Sequence, residues 1–126
     1  MTSTPLAIAA VLAFAVGGVH SWLGEKRLLG PLLAPGHRHE LLEKSAFARQ
    51  VLRFAWHLTT IAWWGMGAAL AAYAMVPVDP SARIVLPILA VTFLMTGVCI
   101  LLISRGRHLA WPVFLTIAGL SLVPLL

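Results

Sequence analysis

Four apolar stretches constrain this chain more than any other feature of its sequence. They cover about residues 5–23, 54–76, 82–103 and 109–126, and each is about 18–23 residues long, which is a spanning length. At about 1.5 Å per residue, a helix of this length crosses a hydrocarbon core of about 30 Å. The stretches lack the alternation typical of membrane β-strands, so helices are the structure expected in lipid.

The composition agrees with a membrane protein and not with an ordinary soluble domain. Of the 126 residues, 60% are hydrophobic and only 10% are charged, whereas soluble domains are about half apolar and a quarter charged. The sequence therefore predicts an all-α membrane protein, a four-transmembrane-helix antiparallel bundle that forms one domain over residues 1–126. The lipid bilayer is therefore its expected partner.

The basic residues predict the orientation of the bundle. Arg83 is the only basic residue on the side of the chain termini. The other eight lie in the loop between spans one and two and in the turn between spans three and four: Lys26, Arg27, Arg38, Lys44, Arg49, Arg53, Arg105 and Arg107. By the positive-inside rule, both of these connections are cytoplasmic and both termini are outside. The short loops and the Ala- and Leu-rich makeup favour a multi-pass protein of the bacterial inner (cytoplasmic) membrane.

The connections between spans predict how the helices follow one another. Prolines in residues 76–81 predict a rigid external turn, and Gly106 is suited to a left-handed helix cap in a tight cytoplasmic hairpin. Spans two, three and four are therefore expected to be sequential antiparallel neighbours. Residues 28–35 are apolar but contain Gly and Pro, which predicts a broken segment in the membrane interface. Residues 37–53 predict a short amphipathic cytoplasmic helix that lies on the membrane and leads into span two.

Two classes of function are disfavoured by the sequence. The isoelectric point is about 10.8, but the basic residues flank membrane spans, where topology and anionic headgroups explain them, so no nucleic-acid partner is expected. The chain has no recognisable Ser/His/Asp set, paired intramembrane carboxylates, phosphate-binding glycine loop or cysteine pair. These absences favour a protein that is not an enzyme, and catalysis would require a metal held by its histidines.

Three histidines are the strongest candidates for a binding site. His20 lies near the cytoplasmic end of span one, His57 near the cytoplasmic start of span two, and His108 at the start of span four. Three helices would thus bring imidazoles to a similar depth on one side of the membrane. Because an imidazole that faces lipid is costly, the side chains are expected to point into the bundle.

Helical spacing predicts which faces of the first two spans meet. On span one the face is small apart from one imidazole, and it is formed by Ala13, Gly17, His20 and Gly24. On span two a polar and aromatic stripe is formed by Arg53, His57, Thr60 and Trp64. Small residues allow close approach of membrane helices, so we expect these two faces to pack together.

Several ligands suit such a site. Haem b could be bound by His20 and His57, with Arg53 and Trp64 beside it, because imidazoles from two helices can ligate iron within a bundle. A transition metal could be held by His20, His57 and His108, with Glu25 as a further candidate ligand. Imidazoles also handle protons near neutral pH. Equally, the histidines could be structural and bind no cofactor.

Three functions follow from these alternatives. The first is a small integral membrane protein with a histidine-lined haem- or metal-binding pocket at the cytoplasmic end of the bundle. The second is an accessory or structural subunit of a larger membrane complex, or a homo-oligomer, without a cofactor. The third is a small transporter or channel, which the absence of a charged residue at mid-membrane disfavours.

Overall fold

The computed structural model describes residues 3–34, 42 and 44–126. Within these residues the secondary structure is entirely helical. Four long helices correspond to the four apolar stretches: α1 (Thr4–Gly24), α2 (Ala46–Ala74), α3 (Pro80–Ser104) and α4 (Ala110–Leu122). A final 3₁₀ turn, Val123–Leu125, follows α4. The prediction of an all-α protein is therefore confirmed for the described residues.

The chain remains helical beyond α1 where the sequence predicted a break. A π-helical segment, Glu25–Leu29, and a further turn, Gly30–Leu32, follow α1 directly. The prediction that residues 28–35 form a broken segment is therefore wrong for residues 28–32. In the wider π turn the N–H of Gly30 bonds to the carbonyl of Glu25, which accommodates Pro31, whose ring lacks an N–H, in the last turn.

The helix α2 begins earlier than predicted. Ser45 caps it by accepting a hydrogen bond from the N–H of Ala48 at 3.1 Å, and the helix continues without interruption to Ala74. Residues 46–53 are thus the first turns of α2 and not part of a separate interfacial helix. The rest of the predicted amphipathic helix, residues 37–41 and 43, lies outside the described residues.

The turns on either side of α3 cap its two ends. Before α3, the carboxylate of Asp79 accepts hydrogen bonds from the N–H of Ala82 and the hydroxyl of Ser81, both at 2.8 Å. After α3, Arg105 and Gly106 both have positive φ, 51° and 78°. The left-handed cap predicted at Gly106 is confirmed, and it begins one residue earlier.

The helices pack in the order α2–α1–α4–α3. The helix α1 lies between α2 and α4, and α3 packs along α4, whereas α2 and α3 make few direct contacts. The prediction that spans two and three are packed neighbours is therefore wrong, although a short turn joins them. The centre is filled by apolar side chains that are almost completely buried, among them Leu6, Leu70, Leu86, Phe93, Phe114 and Ile117.

Two helical segments in the described part of the chain are long and apolar enough to cross a membrane. They are Thr4–Leu32 and Pro80–Ser104, judged by length and composition. The last apolar segment, Ala110–Leu125, is shorter. The helix α2 is long enough, but its sequence contains tryptophan, threonine, glycine and histidine, which lower its hydropathy.

Candidate functional site

The site lies where α1 and α2 approach most closely, on the two faces that the sequence predicted to meet. Gly17 and Gly24 provide the small positions on α1. A Cβ atom on Gly17 would lie 2.8 Å from the indole nitrogen of Trp64, and one on Gly24 would overlap the indole of Trp56. These glycines therefore allow bulky side chains of α2 to pack directly on the backbone of α1.

A chain of hydrogen bonds centred on His57 joins the two helices. Its Nδ1 lies 2.8 Å from Ser21 Oγ, which in turn lies 2.8 Å from Thr60 Oγ1. On the other edge of the ring, His57 Nε2 lies 3.3 Å from Glu25 Oε2. The second oxygen of Glu25 pairs with Arg53 Nη2 at 2.9 Å. Side chains from α1, the π segment and α2 are thus linked in one network.

The hydrogen-bond directions among the hydroxyl groups of this network follow from Thr60. Thr60 has a single hydroxyl proton, which it donates to the carbonyl of Gly17 at 3.2 Å, so Ser21 must donate to Thr60. The Ser21 oxygen then accepts a proton from His57 Nδ1. The other ring nitrogen, Nε2, faces the carboxylate of Glu25. Hydroxyl groups and the imidazole thus connect the carbonyl of Gly17 to Glu25.

His20 lies in the same interface but has different partners. Its ring stacks on Trp56 with centroids 4.4 Å apart and contacts the edge of Trp63 at 4.9 Å. Its Nε2 lies 3.0 Å from the hydroxyl of Thr59. The indole N–H of Trp56 donates to the carbonyl of His20 at 3.3 Å. His20 is therefore packed into an aromatic contact between α1 and α2.

His108 does not join the other two histidines in a ligand set. Its side chain is exposed, and its Nδ1 accepts the N–H of Ala110 at 3.2 Å, in the first turn of α4. Among residues 3–34, 42 and 44–126, no three His, Cys, Asp or Glu side chains are grouped so that they could hold a metal ion. The predicted His20–His57–His108 metal site is therefore not assembled in this part of the chain.

The predicted haem ligands are placed in one interface but are already hydrogen-bonded. Both nitrogens of His57 have protein partners, and Nε2 of His20 has Thr59. Trp64 donates its indole N–H to the carbonyl of Phe14 at 3.0 Å and packs along α1. Axial ligation of iron would require these bonds to break, so the geometry gives little support to a haem site.

An open cleft of about 420 Å³ lies on the outer side of His57. Its polar wall is formed by Arg49, Gln50, Arg53 and His57, and its apolar wall includes Leu33 and Phe54. Arg53 belongs both to the cleft and to the His57 network. Among the predicted site residues, therefore, His57 and Arg53 line the cleft, whereas His20 and Trp64 do not.

Sequence reasoning missed the acid–imidazole–hydroxyl arrangement of Glu25, His57 and Ser21. The four-residue step from Ser21 to Glu25, one helical turn, is the signal that could have shown both facing α2. Such an arrangement occurs in hydrolytic triads, but Ser21 lies between the helices against Thr60 and is not part of the cleft wall. A substrate in the cleft would meet the imidazole and the guanidinium groups, and not the hydroxyl. The arrangement therefore fits binding better than nucleophilic catalysis.

Comparison with models of known families, with curated proteins and with solved structures finds no match to this chain. Function is therefore inferred from the geometry of the site and from the surface of the helices.

Proposed function

We propose that this chain is an integral membrane protein that crosses the bilayer four times and binds a ligand at its cytoplasmic end, in the cleft beside His57. The observation that carries the ligand-binding part is the double role of His57. It is a wall of an open cleft and, at the same time, the centre of the hydrogen-bond network that joins α1 to α2. Because Arg49 and Arg53 line the same cleft, a ligand there would meet two guanidinium groups as well as the imidazole.

The membrane location is supported by the outer surface of the helices. Large apolar side chains are exposed along α1, α2 and α3, and on α3 alone they include Ile84, Ile88, Val91, Leu94 and Met95. Soluble monomers rarely expose such continuous apolar surfaces, because each is an aggregation hazard in water. In lipid the same surface needs no further partner.

The exposed hydroxyl groups also suit a lipid environment. Thr92 donates to the carbonyl of Ile88 at 2.9 Å, and Thr116 donates to that of Pro112 at 2.8 Å. Each bond stays within one helix turn, so a threonine on the outer surface presents no unpaired donor to lipid.

The orientation can be tested with single cysteines. Cys99 would be replaced by Ser, and Val78→Cys or Arg107→Cys would be introduced in separate proteins. We expect a membrane-impermeant maleimide to label Val78→Cys in intact cells and Arg107→Cys only after permeabilisation. The reverse pattern, or equal labelling of both from outside, would contradict the proposed topology.

Access to His57 tests the ligand-binding part. Diethyl pyrocarbonate modifies exposed imidazoles, and peptide mass spectrometry locates the product. We expect modification of His57 when the reagent reaches the cytoplasmic face of inverted vesicles, and faster modification in Glu25→Gln, which removes a partner of the ring. A ring that reacts in neither protein is enclosed, and the cleft would then not be a binding site.

The narrower proposal of a haem b or transition-metal ligand has its own test. The protein would be purified from membranes, and its absorption spectrum and metal content compared with those of His57→Ala. We expect no Soret band and no stoichiometric metal, because both ring nitrogens of His57 already have protein partners. A Soret band or bound metal that disappears in His57→Ala would instead establish the cofactor.

The two other functions predicted from the sequence receive different support. A transporter or channel needs a polar path, whereas the described centre of the bundle is filled by buried apolar side chains such as Phe93, Phe114 and Ile117. An accessory subunit would use the exposed helix faces against a larger complex. Purification in mild detergent distinguishes this function, because stoichiometric partner chains would then accompany the protein.

A further inference from the structure

The cleft beside His57 continues into an apolar stripe on the outer surface of α2. Phe47, Val51, Phe54, Leu58 and Ile61 follow one another at steps of three or four residues, and all are exposed. Side chains at this spacing lie on one face of a helix. Phe54 belongs to both the cleft and the apolar stripe, so the two meet at this residue.

The charges around the cleft favour an anion. Arg49 and Arg53 lie one helical turn apart in its wall, with His57 one turn further on. Arg53 and His57 pair with the carboxylate of Glu25, and Arg49 donates to the backbone carbonyl of Leu42. Guanidinium groups suit phosphate because they donate parallel hydrogen bonds to its oxygens.

We propose that the cleft binds the phosphate headgroup of an anionic phospholipid, with an acyl chain lying along Phe54, Leu58 and Ile61. The inference rests on the proposed membrane location and names the ligand class of the proposed site. A free phosphate ester would use the basic wall alone, whereas only a lipid would use both the basic wall and the apolar stripe. The combination of the two features therefore identifies the lipid as the occupant.

The position of the cleft in the chain agrees with this ligand. It lies at the cytoplasmic end predicted from the basic residues, at the first turns of α2, where headgroups are expected. The apolar stripe runs from there toward the middle of the predicted span. A lipid in this position is oriented as it would be in the inner leaflet.

Native mass spectrometry of the delipidated protein in detergent tests the proposal. We expect phosphatidylglycerol to bind at least about tenfold more tightly than phosphatidylcholine. Arg53→Gln should weaken phosphatidylglycerol binding about tenfold, the effect of losing one charge-assisted hydrogen bond. Arg107→Gln, which removes an exposed cytoplasmic charge outside the cleft, is the matched control and should leave binding unchanged.

A second variant separates a binding defect from a folding defect. Glu25→Gln removes the carboxylate that competes for Arg53, so it should bind phosphatidylglycerol more tightly than the wild type while losing an ion pair. Destabilisation alone would weaken binding in both variants. Equal effects of Arg53→Gln and Arg107→Gln, or weaker binding by Glu25→Gln, would overturn the proposal.

A binding experiment with a soluble ligand distinguishes the lipid from a free phosphate ester. Glycerol 1-phosphate, titrated calorimetrically, should bind far more weakly than phosphatidylglycerol, because it lacks the acyl chain. Equal affinity would overturn the lipid assignment. The proposed membrane location has a separate test, because it fails if alkaline carbonate washes the protein from membranes. A protein that resists this wash but shows no preference for phosphatidylglycerol would contradict only the lipid inference.

Discussion

At the residue scale, the bonds of His57 explain why its neighbours are polar. Thr60 is almost completely buried, with 3% of its surface exposed, and Ser21 lies between it and the imidazole. A buried donor or acceptor that loses its partner costs about 1–3 kcal/mol. The network therefore fixes the register of α1 against α2 as well as the orientation of the ring in the cleft.

Replacement of Ser21 by Ala tests this role. The change leaves His57 Nδ1 and Thr60 Oγ1 without their shared partner, so we expect a loss of about 1–3 kcal/mol in the free energy of unfolding. Thermal unfolding in detergent, followed by circular dichroism, measures it. Thr92→Val is the control, because its hydroxyl bonds within its own exposed helix face, and we expect a change within about 0.5 kcal/mol. Equal stabilities of the two variants would show that the network does not hold the helices together.

The glycines of α1 allow a matched pair of substitutions. A Cβ on Gly24 would overlap the indole of Trp56, whereas one on Gly18 would meet nothing within 4 Å. Gly24→Ala should therefore destabilise the protein by about 1–3 kcal/mol and shift the tryptophan emission spectrum. Gly18→Ala should be neutral or stabilise it by up to about 1 kcal/mol, because alanine is the better helix former. The account of the interface is wrong if both behave alike.

The sequence predicted the meeting faces of α1 and α2 but not the details of the site. Helical periodicity places Gly17, His20 and Gly24 on one face, which is sufficient to predict a close approach. Periodicity does not determine rotamers, so it could not show that His57 turns to Ser21 and Glu25 while His20 stacks on Trp56. For the same reason, three histidines at similar depth were predicted to converge, although His108 instead accepts a bond from the first turn of α4.

At the element scale, the ends of the helices differ from the sequence prediction where hydrogen bonding overrides composition. Gly30 and Pro31 suggested a break, but the π turn before them carries the helix onward to Leu32. The sequence predicts an amphipathic helix over residues 37–53, but the Ser45 cap starts α2 at Ala46, so residues 46–53 are the first turns of α2. The cap at Gly106 agrees with the sequence prediction, because glycine has a strong preference for the left-handed conformation at helix ends.

The Asp79 cap predicts a pH dependence. The N–H of Ala82 and then the hydroxyl of Ser81 donate to its carboxylate and hold the pKa of Asp79 below its ordinary value of 3.8. The carboxylate form therefore stabilises the fold above pH 3.8, and this contribution is lost as the pH falls through the lower pKa of the folded protein. We expect Asp79→Ala to lower the melting temperature at pH 7, and the difference from the wild type to narrow at pH 3. A constant difference at both pH values would contradict a role for the charge.

At the scale of the whole molecule, the helices are arranged so that each central helix has two neighbours. The helices α1 and α4 lie inside the row α2–α1–α4–α3, and the outer helices carry much of the exposed apolar surface. Loop length could not predict this order. A short turn brings two helix ends together, but it does not require the two helices to pack along their length. The apolar outer surface and the polar cleft at one end are both explained if the molecule lies across a bilayer.

Alkaline carbonate extraction of the cell membranes, followed by detection of the protein in pellet and supernatant, tests this claim most directly. Carbonate removes proteins held on membranes by charge but leaves those that span the lipid. We predict that the full-length protein remains in the pellet and is released only by detergent. Recovery of the folded protein in the carbonate supernatant would contradict the account, because its exposed apolar helix faces would then be covered by something other than lipid.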